Sequence, residues 1–94
     1  MKLWIDDIRP APQDYFWCKT VNDAKIFIRY GYVELIDIDH DAGIYAAFGG
    51  DYIKLLDWLE EYDYNIPIHI HSMNPVGVQN MRAIIQKNHW TEIY

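Results

Sequence analysis

Apolar and polar positions along this chain fall into short runs of β-branched and aromatic residues that alternate with stretches of helical spacing. Met1 to Ile5 opens the chain as a strand. Asp6 to Pro12 leaves it as a loop, because Pro10 and Pro12 exclude a continuing helix. Tyr15 to Lys19 reads as a second strand. Thr20 is placed to cap a helix over Val21 to Tyr30, with Asp23 at its third position and Gly31 at its end. Val33 to Asp39 is the third strand, and Ala42 to Gly50 reads as a glycine-rich loop. From about Asp51 to Tyr62 the spacing of Ile53, Leu56 and Leu59 is helical, and Asn65 and Pro67 end that helix. Pro67 to His71 forms a fourth strand. Asn74-Pro75 then opens a helix whose apolar stripe is Val78, Met81, Ile84 and Ile85, ending near Asn88, and Trp90 to Tyr94 is a candidate short fifth strand.

Strands alternating with helices predict an α/β domain, residues 1–94, with a mostly parallel sheet of four to five strands, about three helices and right-handed crossovers. The link between the first two strands, about nine residues, is short for a crossover, so the helix expected after strand one is missing. Side chains alternate across a strand, so Leu3, Ile5, Ile36, Ile38, Ile68 and Ile70 can share one apolar face for the helices. The other face would carry Lys2, Trp4, Leu35, Asp37 and His69, a mixed set unlike a helix-covered face. We expect that face to be buried by self-association or by the tail with Trp90 and Tyr94, and Asp37 and His69 to pair beneath the site.

Three of the apolar runs end in chemistry. The first closes on Asp6 and Asp7, the third on Asp39, His40 and Asp41, and the fourth on His71, Ser72 and Asn74. Unpaired carboxylates are costly to bury, and the crevice beyond the carboxyl ends of strands is where open α/β sheets bind ligands. Asp6, Asp7 and Asp39, with Asp41 beside them, are oxygen donors suited to Mg²⁺ or Mn²⁺ more than Zn²⁺, although the His69-x-His71 pair keeps zinc or manganese open. His71 and His40 are the candidate acid or base. Ser72 and Asn74 stand at a helix N-terminus, which attracts anions, and Arg9 can reach a phosphate with two donors. Tyr45 and Phe48 lie in a glycine-hinged segment that reads as a lid able to stack on a base.

Composition narrows the ligand. A net charge of −6 disfavours capture of a long nucleic-acid duplex and leaves small phosphorylated molecules as partners. No apolar run approaches the ~20 residues of a membrane span. With one cysteine, Cys18, and a strand in place of a leader at the N-terminus, a reducing cytoplasm is expected. The aromatic share of 16% points to rings used for stacking or association.

The elements Asp6-Asp7-Ile8-Arg9-Pro10, Asp39-His40-Asp41-Ala42-Gly43 and His71-Ser72-Met73-Asn74-Pro75-Val76-Gly77 together resemble the cyclic-phosphate processing receiver family, over nearly the whole chain. The resemblance implies a receiver-like, flavodoxin-like fold and a metal-assisted phosphoesterase acting on a cyclic phosphate or cyclic nucleotide. Asp37 stands where that pattern has a small or apolar residue, and no lysine ends a fifth strand as in phosphorelay receivers. Two other functions fit the same residues: sequestering a cyclic nucleotide without cleaving it, and a degenerate receiver used for association.

Overall fold

A computed structural model describes all residues 1–94. In chain order the elements are β1 (Lys2–Ile5), β2 (Tyr15–Cys18), α1 (Val21–Tyr30), β3 (Leu35–Ile38), a 3₁₀ helix (Gly43–Phe48), α2 (Ile53–Glu61), β4 (Ile68–Ile70), α3 (Pro75–Lys87) and β5 (Glu92–Ile93). The five strands form one parallel sheet in the order β2-β1-β3-β4-β5. This is the parallel α/β sheet with three helices that the hydrophobic pattern predicts, and it agrees with the receiver-like fold that the resemblance implies.

Local chemistry sets the helix starts. Thr20 Oγ1 accepts the Asp23 N–H at 3.0 Å, and Asn74 Oδ1 accepts the Gly77 N–H at 3.0 Å with Pro75 opening α3. The segment Ala42 to Gly50, expected as a loop, winds into the 3₁₀ helix and ends at Gly49 with φ 119°. Tyr52, just before α2, is fully buried and donates its hydroxyl to the Lys19 carbonyl at 2.8 Å. Its ring belongs to the buried core, a role no periodicity in its own segment announces.

Handedness explains where the helices go. The connections β2-α1-β3, β3-α2-β4 and β4-α3-β5 all run in the same direction across the sheet, so right-handed crossovers put their helices on one face. Leu3, Ile5, Cys18, Ile36, Ile38 and Ile68 from the sheet share a single core with Val21, Ala24 and Ile28 of α1, Leu55, Leu56 and Leu59 of α2, and Met81 and Ile85 of α3. The link from β1 to β2 runs the other way, and its loop crosses the opposite face: the Trp4 indole N–H donates to the Arg9 carbonyl at 2.8 Å. No helix covers that second face. Register aligns Trp17, Trp4, Asp37, His69 and Ile93 across it, and Tyr15, Lys2 and Leu35 one step below.

Two expectations for this face are corrected. The tail does not fold over it, because Glu92 and Ile93 extend the sheet beside β4 and leave Tyr94 87% exposed. A bidentate ion pair from Arg82 on α3 to Glu92 holds the tail at the sheet edge. Asp37 and His69 are level on neighbouring strands but do not pair. Side chains on adjacent strands stand parallel and point away from the sheet. His69 Nδ1 therefore faces the Ile93 carbonyl at 2.8 Å, and Asp37 is met by His71, which lies past the end of β4 and can turn back over the sheet.

Candidate functional site

Ile5, Ile38 and Ile70 are the last residues of β1, β3 and β4 and stand level in the sheet. Asp6, Asp39 and His71 follow them, so one edge of the sheet brings two carboxylates and an imidazole together. One ligand atom from each lies within 4.8 Å of the others.

Asp6 is the hub and is only 1% exposed. Its Oδ1 accepts the backbone N–H groups of Ile8 at 2.9 Å and Arg9 at 2.8 Å. Its Oδ2 accepts Arg9 Nε at 3.0 Å and His71 Nε2 at 2.9 Å. Burial by itself would raise this carboxyl, but the two backbone donors, His71 and the Arg9 charge outweigh it and hold Asp6 below the usual carboxylate range. Arg9 goes on to bridge Asp39 Oδ2 at 3.2 Å and the His71 carbonyl at 2.7 Å, both through Nη2. The acids it touches raise its own pKa against the effect of burial.

His71 Nδ1 lies 2.5 Å from Asp37 Oδ1, and its ring stacks on Trp4 with centroids 3.8 Å apart and planes 3° from parallel. Both ring nitrogens face carboxylate oxygens, which only accept. Both nitrogens are thus engaged within the protein, and neither is open to a ligand. The partnership also accounts for Asp37, an acid 7% exposed in the middle of a strand.

Asp7 has no basic partner. Burial first, then the neighbouring Asp6 and Asp39, push its carboxyl up, against its own backbone N–H. It lies under Gly43, where a Cβ would come 2.6 Å from Asp7 Oδ2 and where φ is +57°. Glycine answers both constraints. Asp39 Oδ1 accepts the His40 N–H at 2.7 Å. The His40 ring packs on the first turn of α3, so closely that a Cβ at Gly77 would lie 2.5 Å from it, and its Nδ1 meets Asp41 Oδ1 at 2.9 Å. Ser72 Oγ accepts the Asn74 N–H at 3.1 Å and retains its own O–H, while the Asn74 amide caps α3 through its oxygen and keeps its NH₂.

A cleft of about 510 Å³ opens over these residues. Asp6, Asp7, Asp39 and Asp41 line it, and Arg9, Ser72 and Asn74 supply donors. Ile8 and Met73, 77% and 89% exposed, complete its lining. These two were not foreseen; an exposed apolar residue inside each polar motif was the available signal. Neither His71 nor His40 lines the cleft. Nor do Tyr45 and Phe48: the first packs partly against the core with Lys19 Nζ 5.7 Å from its ring, and the second is 56% exposed on the 3₁₀ helix.

Parallel strands in this order, with acids after β1 and β3 and a hydroxyl after β4, define a receiver-like domain. The profile of the cyclic-phosphate processing receiver domain matches residues 1–87, and the chain belongs to that family. No curated protein and no solved structure matches the chain.

Proposed function

We propose that the cleft binds a cyclic phosphate ester, most simply a cyclic nucleotide, and hydrolyses it with the help of a divalent cation. The observation that carries this reading is that one cleft gathers four carboxylates together with the unspent donors of Ser72 and Asn74. Free donors beside the N-terminus of α3 suit a phosphoryl group, and Ile8 and Met73 suit the apolar body of a nucleoside. The donor set Asp6, Asp7 and Asp39, all carboxylate oxygen, fits Mg²⁺ or Mn²⁺ better than Zn²⁺. Such an ion supplies neutralisation of phosphoryl charge and activation of water. Asp41, on the cleft wall, would complete the outer part of that site.

The two histidines divide their roles in this reading. His71, with both nitrogens committed, props Asp6 and Asp37 in place. His40 keeps Nε2 without a protein partner, and Asp41 on Nδ1 favours the tautomer that leaves Nε2 as the acceptor. Of the two, His40 is thus the one with a ring nitrogen left to move a proton. A reducing, cytoplasmic setting suits the buried Cys18 thiol, and self-association would cover the helix-free face.

Incubation of the protein with a panel of 2′,3′- and 3′,5′-cyclic nucleotides and Mg²⁺ or Mn²⁺, followed by ³¹P NMR, tests the reading. A linear phosphomonoester is the expected product. Nucleotide recovered intact from the denatured protein would favour sequestration. Absence of any bound ligand would favour a degenerate receiver used for association.

A further inference from the structure

We propose that Arg9 is a displaceable counter-ion: without metal its guanidinium bridges Asp6 and Asp39, and entry of a divalent cation releases it to the phosphoryl oxygens of the ligand. This rests on the metal-dependent reading above. Three features of the site carry it.

First, the guanidinium stands where the donor set converges, with Nε on Asp6 Oδ2 and Nη2 on Asp39 Oδ2. An ion shared by Asp6 and Asp39 and this guanidinium compete for the same two Oδ2 atoms. Second, the Arg9 side chain is open to solvent while its backbone is held in place, so release breaks only its bonds to Asp6, Asp39 and the His71 carbonyl. Its N–H is held by Asp6 Oδ1 and its carbonyl by the Trp4 indole, yet the side chain is 46% exposed and Nη1 has no acceptor. It already lines the same cleft as Ser72 and Asn74, so a change of rotamer within that cleft would bring its donors to a ligand held there. Third, Arg9 balances only part of the acidic charge. Asp7 has no ion-pair partner in the protein, and a divalent ion supplies the charge that a single guanidinium leaves unmatched.

The consequence is reciprocal coupling: metal promotes phosphate binding by freeing Arg9, and phosphate promotes metal binding by holding Arg9 away. Titration calorimetry with Mg²⁺ alone, on the unmodified protein and on Arg9→Gln and Arg9→Lys, reads the first half. Arg9→Gln is expected to bind Mg²⁺ about tenfold more tightly, in the usual range of such couplings. Arg9→Lys retains the charge but cannot span both acids, and it should move in the same direction. Inorganic phosphate is then titrated with and without saturating Mg²⁺. Coupling should be present in the unmodified protein and reduced in Arg9→Gln.

Equal or weaker Mg²⁺ binding by Arg9→Gln overturns the proposal while leaving the metal site standing. So does an Arg9→Lys affinity identical to that of the unmodified protein, because charge without bridging would then suffice. If neither Mg²⁺ nor Mn²⁺ binds any of the three proteins, the metal-dependent reading itself fails and this inference falls with it. Should the variants not fold, the Arg9 Nε–H resonance of the unmodified protein decides. It is expected to lose its carboxylate-bonded shift as Mg²⁺ is added, and a resonance unchanged at saturation overturns the proposal.

Discussion

Asp6 and Asp7 are adjacent and respond to acid in opposite senses. Asp6 has a folded-state pKa below the ordinary value of 3.8, so it stabilises the fold above that pH and loses the contribution as pH falls through the folded value. Asp7 has a raised folded-state pKa, so its contribution is favourable at low pH and is lost as pH rises through that raised value. At pH 7 in the presence of a chelator, Asp7→Asn should therefore raise the melting temperature, by about 3 °C for relief of the burial of its charge and of the repulsion from Asp6 and Asp39. Asp6→Asn should lower stability at pH 7 by about 3 kcal/mol, since it strips the charge partner from Arg9 and His71, with the deficit shrinking toward pH 3. Scanning calorimetry across that range measures both. His71→Ala leaves Asp37 buried without a partner, and urea unfolding should show a loss of about 3 kcal/mol. In this reading His40→Ala instead costs turnover, about 10²-fold or more, with stability little changed. Which residues stood at the strand ends was legible from the sequence, because strand periodicity and loop chemistry are local. Which of them would pair was not. The choice of His71 over His69 by Asp37 depends on a ring beyond a strand end folding back onto Trp4, a contact between residues 67 positions apart in the chain.

At the level of elements, the caps and breaks were readable because each is a short-range bond: Thr20 to Asp23, Asn74 to Gly77, and the prolines after β1. The 3₁₀ helix was not, since its segment has no apolar stripe and its anchors are remote. Gly43 sits over Asp7, and Ala42 N–H donates to Asp51 at 3.1 Å. The contact between His40 and Gly77 joins the loop after β3 to α3 and makes a test of packing against propensity. Alanine would favour the helix by about 1 kcal/mol over glycine, but a Cβ at that position strikes the ring. Gly77→Ala should thus be destabilising by about 1–2 kcal/mol in urea unfolding and should displace the His40 ring from the first turn of α3. A stabilised variant would show that the ring yields freely.

On the scale of the whole molecule, the sheet has helices on one face only, a result of strand order and crossover hand. Parallel sheets are generally covered on both faces. Sedimentation equilibrium should therefore show association of the unmodified protein, and Ile93→Lys, placed on the open face at a residue 42% exposed, should weaken it. A monomer at all concentrations would mean that Trp4, Tyr15 and the loop suffice as cover. That loop is at once a crossover and a wall of the cleft, which makes its length a constrained quantity. Loops commonly accept inserted residues at little cost. Here Asp6 to Arg9 is fastened by side-chain bonds at every turn, from Trp17 Nε1 to the Asp6 carbonyl through Trp4 Nε1 to the Arg9 carbonyl. Pro10 and the exposed stretch that follows carry no such fastening until Tyr15 N–H meets the Pro12 carbonyl. A short flexible insert after Pro10 should be silent, and the same insert after Asp7 should undo the Asp6 network, so a label or linker has one entry point into this loop.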